Sequence, residues 1–404
     1  MNPAATSHCP VCQSPRPFPF LDLPGIPVFC NVHWPSREAA LAAPQGDIQL
    51  GFCPDCGHVY NRLFQPELVD YDEAYDNSLH FSGRFQDYAN DLARHLIKRH
   101  DLHGKQLLEI ACGKGDFLRL LCRLGPNHGT GFDPSYEATG EASEAATNAT
   151  TDDVDITFVT DYYGPKYANV AADFICCRHA LEHFQFPARF LTEVRHSIGD
   201  RPETLFFCEV PNSLFMFADL SIWDIIYEHP SYFCAGSLAT VFRRAGFQVQ
   251  QVRDTFGSQF LTLEAVPAPA ALAVAEPVWE VEIRARLQEL VAVFAATFQA
   301  KLRSWNETLT DWLRDGRSVV VWGGGSKGVM FLNLVKAAAA IDYVVDINPG
   351  KQGRFVAGGG QQFVAPEFLV EYKPDVVVVM NPIYRDEIAR SLAELSLTPE
   401  LASV

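Results

Sequence analysis

The stretch Lys105-Gln-Leu-Leu-Glu-Ile-Ala-Cys-Gly-Lys-Gly-Asp116 decides the fold. Its first half, K-Q-L-L-E-I, reads as a buried strand, and the apolar spacing after Asp116 opens a helix over 116–122. Between them lies a loop with glycines at Gly113 and Gly115. Glycines at the carboxyl end of a strand let the backbone approach a ligand closely, in the crevice of an open sheet. The next strand, T-G-F-D, ends on Asp133, 18 residues after Gly115. A carboxylate there accepts hydrogen bonds from a ribose diol. Further strands are expected at 156–159, 172–177 and 204–210. Strand and helix therefore alternate as in a parallel α/β sheet. Loop and acid together point to an adenosine-containing cofactor.

The rest of the 404-residue chain must hold one or two more domains. A composition of 48% hydrophobic and 20% charged residues is that of a globular protein and excludes disorder. Lys plus Arg number 32 against 49 for Asp plus Glu, a net charge of -17, which argues against a nucleic-acid partner. No run of 18 apolar residues appears, and residues 1–8 carry no apolar signal core. The expectation is a cytoplasmic protein acting on a small molecule, with no membrane partner.

Four of the eleven cysteines are spaced specifically. Cys9 and Cys12 (C-P-V-C) and Cys53 and Cys56 (C-P-D-C-G) form two C-x2-C turns forty residues apart. Each turn aims two thiolates at one point, and two turns complete a tetrahedron around zinc. Such a site has no open position, so the zinc is expected to be structural. Cys30, His33 and His58 are possible substitute ligands. The proline-rich interval between the pairs is a poor helix and a workable ribbon.

Two loops concentrate titratable groups. Arg178-His179-Ala-Leu-Glu182-His183 follows the strand D-F-I-C-C. The spacing His179-x-x-Glu182-His183 matches an inverted zinc-protease motif, but it sits at the ligand end of a central strand. His179 is thus a site candidate, and His183 is expected to pack in a helix end. In Trp223-Asp-Ile-Ile-Tyr227-Glu228-His229-Pro230, three titratable side chains in a row cannot all enter one core, and Pro230 stops a helix. Such a turn suits acid–base work.

Pro267, Pro269 and Pro277 mark a linker, followed by one or two long helices over 278–314 with Leu287, Leu290, Val291, Phe294 and Phe298 on one face. A strand at 317–322 then leads into Gly323-Gly-Gly325-Ser326-Lys327-Gly328, and strands follow at 341–345, ending at Asp346, and at 375–380. The pattern fits a dinucleotide fingerprint and leaves NAD binding open. Three or four strands are half of a full dinucleotide fold. The loop could equally cradle a substrate diphosphate, with Gly323, Gly325 and Ser326 at the helix start and Lys327 as a point charge.

E-I-A-C-G-K-G resembles the first motif of class I S-adenosylmethionine-dependent methyltransferases, and G-F-D-P-S their second. Ala111 replaces the first of three glycines, acceptable if its φ stays negative. The resemblance implies Glu109, Ala111, Gly113 and Gly115 around the methionine and ribose, Asp133 on the ribose hydroxyls and Asp161 near the adenine. Across nearly the whole chain the order of parts resembles the sugar C-methyltransferases, which act on nucleotide-linked deoxy-4-ketosugars. That implies a zinc module over 1–66, a Rossmann-like methyltransferase core over 67–266 and a second Rossmann-like domain over 267–404, preferably as a monomer. It also implies active-site roles for Tyr75 (with Tyr71 as competitor), His179, Glu228 and His229. His229 is expected as base, oriented by Glu228, with Tyr75 and His179 donating to an enolate oxygen. The family's D-x-I-Y-x-E-H is one residue shorter here, D-I-I-Y-E-H, which sets Tyr227 beside Glu228. Tyr71, Tyr75, His80 and Phe81 are a possible lid. O- or N-methylation of another small molecule, and an NAD-binding protein, are the alternatives.

Overall fold

Three sheets carry the chain in the computed structural model, which describes residues 6–69, 81–136, 155–269 and 277–404. The expected residues Tyr71, Tyr75 and His80 lie outside the described residues. Strands β1 (Phe18–Pro27), β2 (Gln45–Phe52) and β3 (Val59–Asn61) form an antiparallel N-terminal sheet. Alternation in β2 buries Ile48, Leu50 and Phe52. Pro19, Pro24 and Pro27 fall on β1, the edge strand, where a missing N–H breaks no ladder.

The central sheet is built on β4 (Gln106–Ile110), β5 (His128–Phe132), β6 (Asp155–Val159), β7 (Phe174–Arg178) and β8 (Leu205–Pro211), all parallel. A short β9 (Ser231–Tyr232) leaves this core and pairs with β3, Tyr60 opposite Ser231 and Val59 opposite Tyr232. Strands β10 (Phe247–Thr255) and β11 (Phe260–Pro267) complete the central sheet in the order β10-β11-β8-β7-β4-β5-β6, with β11 antiparallel to both neighbours. The direction of winding reverses between β4 and β7. The loops after those two strands therefore border the crevice where ligands bind such sheets. This is the α/β methyltransferase-type core expected, with a closing hairpin that the strand-and-helix reading did not include.

One helix, Val278–Arg314, follows; its 37 residues make it roughly 55 Å long. Leu287, Leu290, Val291, Phe294 and Phe298 are buried along it, as their spacing predicts. The C-terminal sheet holds β12 (Val319–Trp322), β13 (Tyr343–Val345), β14 (Gln362–Val364), β15 (Val376–Val379) and β16 (Glu400–Ser403), all parallel, in the order β14-β13-β12-β15-β16. That is five strands rather than three or four. The N-terminal sheet shares one apolar cluster with Trp223, Tyr227, Phe294 and Phe331. It also bonds directly to the C-terminal unit, where the Gly358 N–H donates to the Ala40 carbonyl at 2.8 Å.

The β4 loop corrects one expectation. Ala111 has φ +56°, so it occupies the left-handed region after all. That conformation costs a non-glycine residue roughly 1–2 kcal/mol. Gly113 (φ +54°) and Gly115 (φ +79°) share the region without that cost. A Cβ on Gly113 would meet nothing within 4 Å, whereas one on Gly115 would lie 2.4 Å from the Phe158 ring. Gly115→Ala is expected to cost about 2–4 kcal/mol in urea denaturation, backbone strain and overpacking acting together. Gly113→Ala is expected to cost only the backbone part.

Candidate active site

Two cavities meet at one histidine. The first, about 460 Å³, opens at the carboxyl ends of β4, β5 and β7. Glu109, Ala111, Gly113, Asp133 and Asp161 all line it; Gly115 stands behind, at the start of helix Asp116–Leu124. Asp133 does two jobs. Its Oδ2 accepts the Gly113 N–H at 2.8 Å, which holds the loop, and its Oδ1 accepts the Ser135 N–H and hydroxyl at 2.8 and 2.6 Å. A carboxylate offers about four acceptor sites, so one remains for a ligand hydroxyl. Phe132, Tyr163, Phe184 and Phe190 supply flat apolar walls at one end. Asp161 accepts from Lys166 and from the Tyr167 hydroxyl, and these bonds hold its carboxyl below the usual range.

Glu109 and Arg178 face the other end. Burial pushes the Glu109 carboxyl up to about 8, against the pull of the Arg178 guanidinium. Arg178 is buried, lies 3.9 Å over the Phe117 ring and donates to Glu209 at 2.5 Å. Its Nη2, and Oε2 of Glu109, find no hydrogen-bond partner among the described residues. Glu209 also takes the Tyr88 hydroxyl, which lies 3.0 Å from Thr255 Oγ1. Although burial opposes it, Arg178 and then His179 keep the Glu209 carboxyl below its ordinary value.

His179 belongs to the walls of both cavities. Its backbone is left-handed, φ +49°, and its N–H donates to the Glu209 carbonyl at 2.8 Å. Its Nε2 is 3.7 Å from Glu209 Oε2 and its Nδ1 4.0 Å from Glu182 Oε1. His183 and His229 stand edge to face at 4.7 Å. Burial lowers the His183 ring to about 4, against a hydrogen bond to the Glu228 carbonyl, and lowers His229 well below the ordinary imidazole value. Both are neutral near pH 7. The nitrogens of His183 and His229 and a carboxylate oxygen of Glu182 lie within 4.8 Å of one another.

The second cavity, about 300 Å³, runs from His179, Glu182 and His229 to Gly323, Gly325, Ser326 and Lys327 of the C-terminal loop. All four loop residues expected at a substrate thus face the same space as His229. Lys327 is not an unpaired charge; its ammonium meets Asp224 and lies 3.4 Å from Ser221 Oγ. The buried Lys351 also lines the cavity, 3.2 Å from the Gly324 carbonyl and 3.3 Å from Asp346. Asp346 accepts the Gly324 N–H at 2.9 Å, the same tie that Asp133 makes to Gly113.

Two expected site residues line neither cavity. Glu228, expected to orient His229, is fully buried, and its carboxylate accepts the Cys30 N–H at 2.8 Å. Tyr227 is fully buried against Phe64, its hydroxyl accepting the Gln65 N–H at 3.0 Å, and lines neither cavity. A turn throws successive side chains in different directions, so only His229 of the three reaches the cleft. The four thiols of Cys9, Cys12, Cys53 and Cys56 converge within 4.8 Å. Cys30, His33 and His58 are not part of that cluster.

Residues 81–252 match the methyltransferase domain model, and residues 265–398 match the C-methyltransferase C-terminal domain. The chain is a methyltransferase of the S-adenosylmethionine-dependent C-methyltransferase family. The C-methyltransferase NovU of Streptomyces niveus is 24% identical over 324 residues, 74% of each chain. Solved structures with partial likeness include magnesium protoporphyrin IX methyltransferase from Synechocystis PCC 6803 with bound SAM, 17% identical, covering 46% of this chain and 80% of that one, TM-score 0.33. Another is 1,6-didemethyltoxoflavin-N1-methyltransferase from Burkholderia thailandensis, 17% identical, covering 46% and 82%, TM-score 0.34. No helix among the described residues is long and apolar enough to cross a membrane.

Arg178, Glu182 and Lys351 line the cavities, with Glu209 and Tyr88 bonded behind Arg178, and the sequence does not single these five out as site residues. Arg178 and Glu209 had a signal, since each stands near the carboxyl end of a central strand. Removing one partner of a buried ion pair strands the other, at roughly 3–5 kcal/mol. Arg178→Met is therefore expected to lower the unfolding free energy by about that much in urea titrations.

Proposed function

We propose that this methyltransferase C-methylates a nucleotide-linked keto-deoxysugar at a carbon beside its ketone. The observation that carries the reading is a neutral imidazole, His229, in the wall of a cavity that meets the cofactor cavity at His179 and ends at a glycine-and-lysine loop. S-adenosylmethionine supplies an electrophilic methyl group on sulfur. Around its methionine end, Glu109 takes the ammonium and Arg178 the carboxylate, which answers the two partnerless atoms there. Asp133 takes a ribose hydroxyl, and the aromatic walls beside Asp161 take the adenine.

A carbon beside a ketone becomes a nucleophile only after losing a proton. His229 removes it, because burial keeps the ring unprotonated and able to accept. His183, held by the Glu228 carbonyl, fixes the ring's surroundings. His179, between the cavities, hydrogen-bonds the substrate's oxygen, and Tyr75 is assigned the same duty. The nucleotide's diphosphate lies along Gly323–Gly328, where backbone N–H groups at the start of helix Ser326–Leu334 and the Lys351 ammonium offset its charge.

The cysteine cluster fits a structural zinc. Sulfurs 2.3 Å from a tetrahedral zinc stand about 3.8 Å apart. Cys9 to Cys56 is 3.6 Å and Cys12 to Cys53 is 3.5 Å. All four positions are taken by protein, so the ion serves folding.

Calorimetry should show binding of S-adenosylhomocysteine and no heat with NAD. His229→Gln should keep that binding and lose about 100- to 10,000-fold in turnover of a nucleotide 4-ketosugar panel. More than half the wild-type rate in the variant overturns the assignment. For wild type, kcat/KM should hold as pH falls to about 6.5, since the base's proton affinity lies below the usual imidazole value. Metal analysis should give one zinc per chain, and chelation should lower Tm.

A further inference from the structure

Glu182 stands in the short turn Leu181–His183, four residues beyond the end of β7 and three beyond His179. It is 2% exposed and is one of the residues that line the second cavity. Its Oε2 makes no hydrogen bond to any described residue. Buried polar atoms are almost always paired, because leaving one unpaired costs about 1–3 kcal/mol. An unpaired carboxyl group on a residue that lines a ligand cavity is one that a polar atom of the ligand can satisfy.

We propose that Glu182 acts as a neutral carboxylic acid that donates its proton in a hydrogen bond to the oxygen of the reacting ketone. This role rests on the C-methylation reading above. The groups around it favour the neutral form. His179 approaches from β7, His183 adjoins it, and His229 comes from the turn before β9; burial keeps the latter two rings uncharged. Glu209 on β8 adds negative charge, already matched by Arg178. Burial, with Glu209 adding to it, pushes the Glu182 carboxyl up to about 8.

The step balances. His229 takes the proton from the carbon beside the ketone, and the C–H pair becomes the C=C pair of an enolate. Charge moves to the ketone oxygen, where the Glu182 O–H stabilises it without giving the proton up. The C=C pair then forms the new C–C bond to the methyl group, and the methyl–sulfur pair goes to sulfur. The ketone re-forms, and Glu182 remains protonated for the next cycle. A donor aimed at a developing oxyanion typically supplies 100- to 1,000-fold in rate. His229 is then the base, and Glu182 joins His179 as a hydrogen-bond donor to the enolate oxygen.

The test uses full-length protein, S-adenosylmethionine and a thymidine diphosphate 4-keto-6-deoxyhexose, with Glu182→Gln and Glu182→Ala. The glutamine amide still donates, so Glu182→Gln should keep kcat within about tenfold of wild type, while Glu182→Ala should lose about 100-fold. Because the protonated acid is the working form, wild-type kcat should fall as pH rises through about 8, and that limb should vanish in Glu182→Gln. Unchanged S-adenosylhomocysteine affinity in both variants shows an intact fold. Equal loss in Gln and Ala, or an alkaline limb surviving in Glu182→Gln, overturns the role and leaves the C-methylation reading standing. A wild-type protein that methylates no ketosugar in the panel overturns that reading and this role with it.

Discussion

The turn that carries His229 is held by a sheet to which most of its neighbours in sequence do not belong. Ser231 and Tyr232 complete the N-terminal sheet as its fourth strand, and the Asn61 N–H adds a bond to the Pro230 carbonyl at 2.9 Å. One residue before His229, the Glu228 carboxylate is anchored on the Cys30 N–H. The placement of an imidazole beside the central crevice thus depends on residues near the start of the chain. The two C-x2-C turns close the far end of the same sheet, with β3 beginning three residues after Cys56. A module that looks like an appendage in sequence is the clamp on the turn that carries His229.

The legible parts of the sequence were those encoded over short distances. The strand, glycine loop and following acid placed Gly113, Asp133 and the core correctly, because backbone geometry forces that spacing. The cysteine knuckles were legible for the same reason. What escaped was side-chain direction and long-range pairing. Tyr227, Glu228 and His229 are adjacent, yet one packs on Phe64, one caps Cys30 and one reaches the cavity. Nothing local separates these fates. Glu182 sat in a motif that invited a metal-protease comparison, and its burial beside a cavity became visible only once β7 was seated against β8. Sequence alone makes Ala111 acceptable only at negative φ; the turn holds it in the left-handed conformation and accepts the strain.

The two α/β units repeat one device. In each, an aspartate at the end of the second strand accepts an N–H from the glycine loop after the first, Asp133 from Gly113 and Asp346 from Gly324. The partners then diverge. Asp133 is completed by Ser135 and keeps room for a ligand hydroxyl. Asp346 is completed by the Asn348 N–H and by the Lys351 ammonium, so its carboxylate is held in an ion pair within the protein. The likeness of fingerprint that left NAD binding open is a likeness of loop architecture, with different chemistry around it.

Among the described residues, His179 is the one that lines both cavities, and such a shared boundary has a kinetic meaning. Each cavity otherwise has its own lining residues and its own glycine loop. If the acceptor occupies the second cavity, as proposed, a spent donor leaves the first without passing through the acceptor's place, and the two ligands need no fixed order of binding.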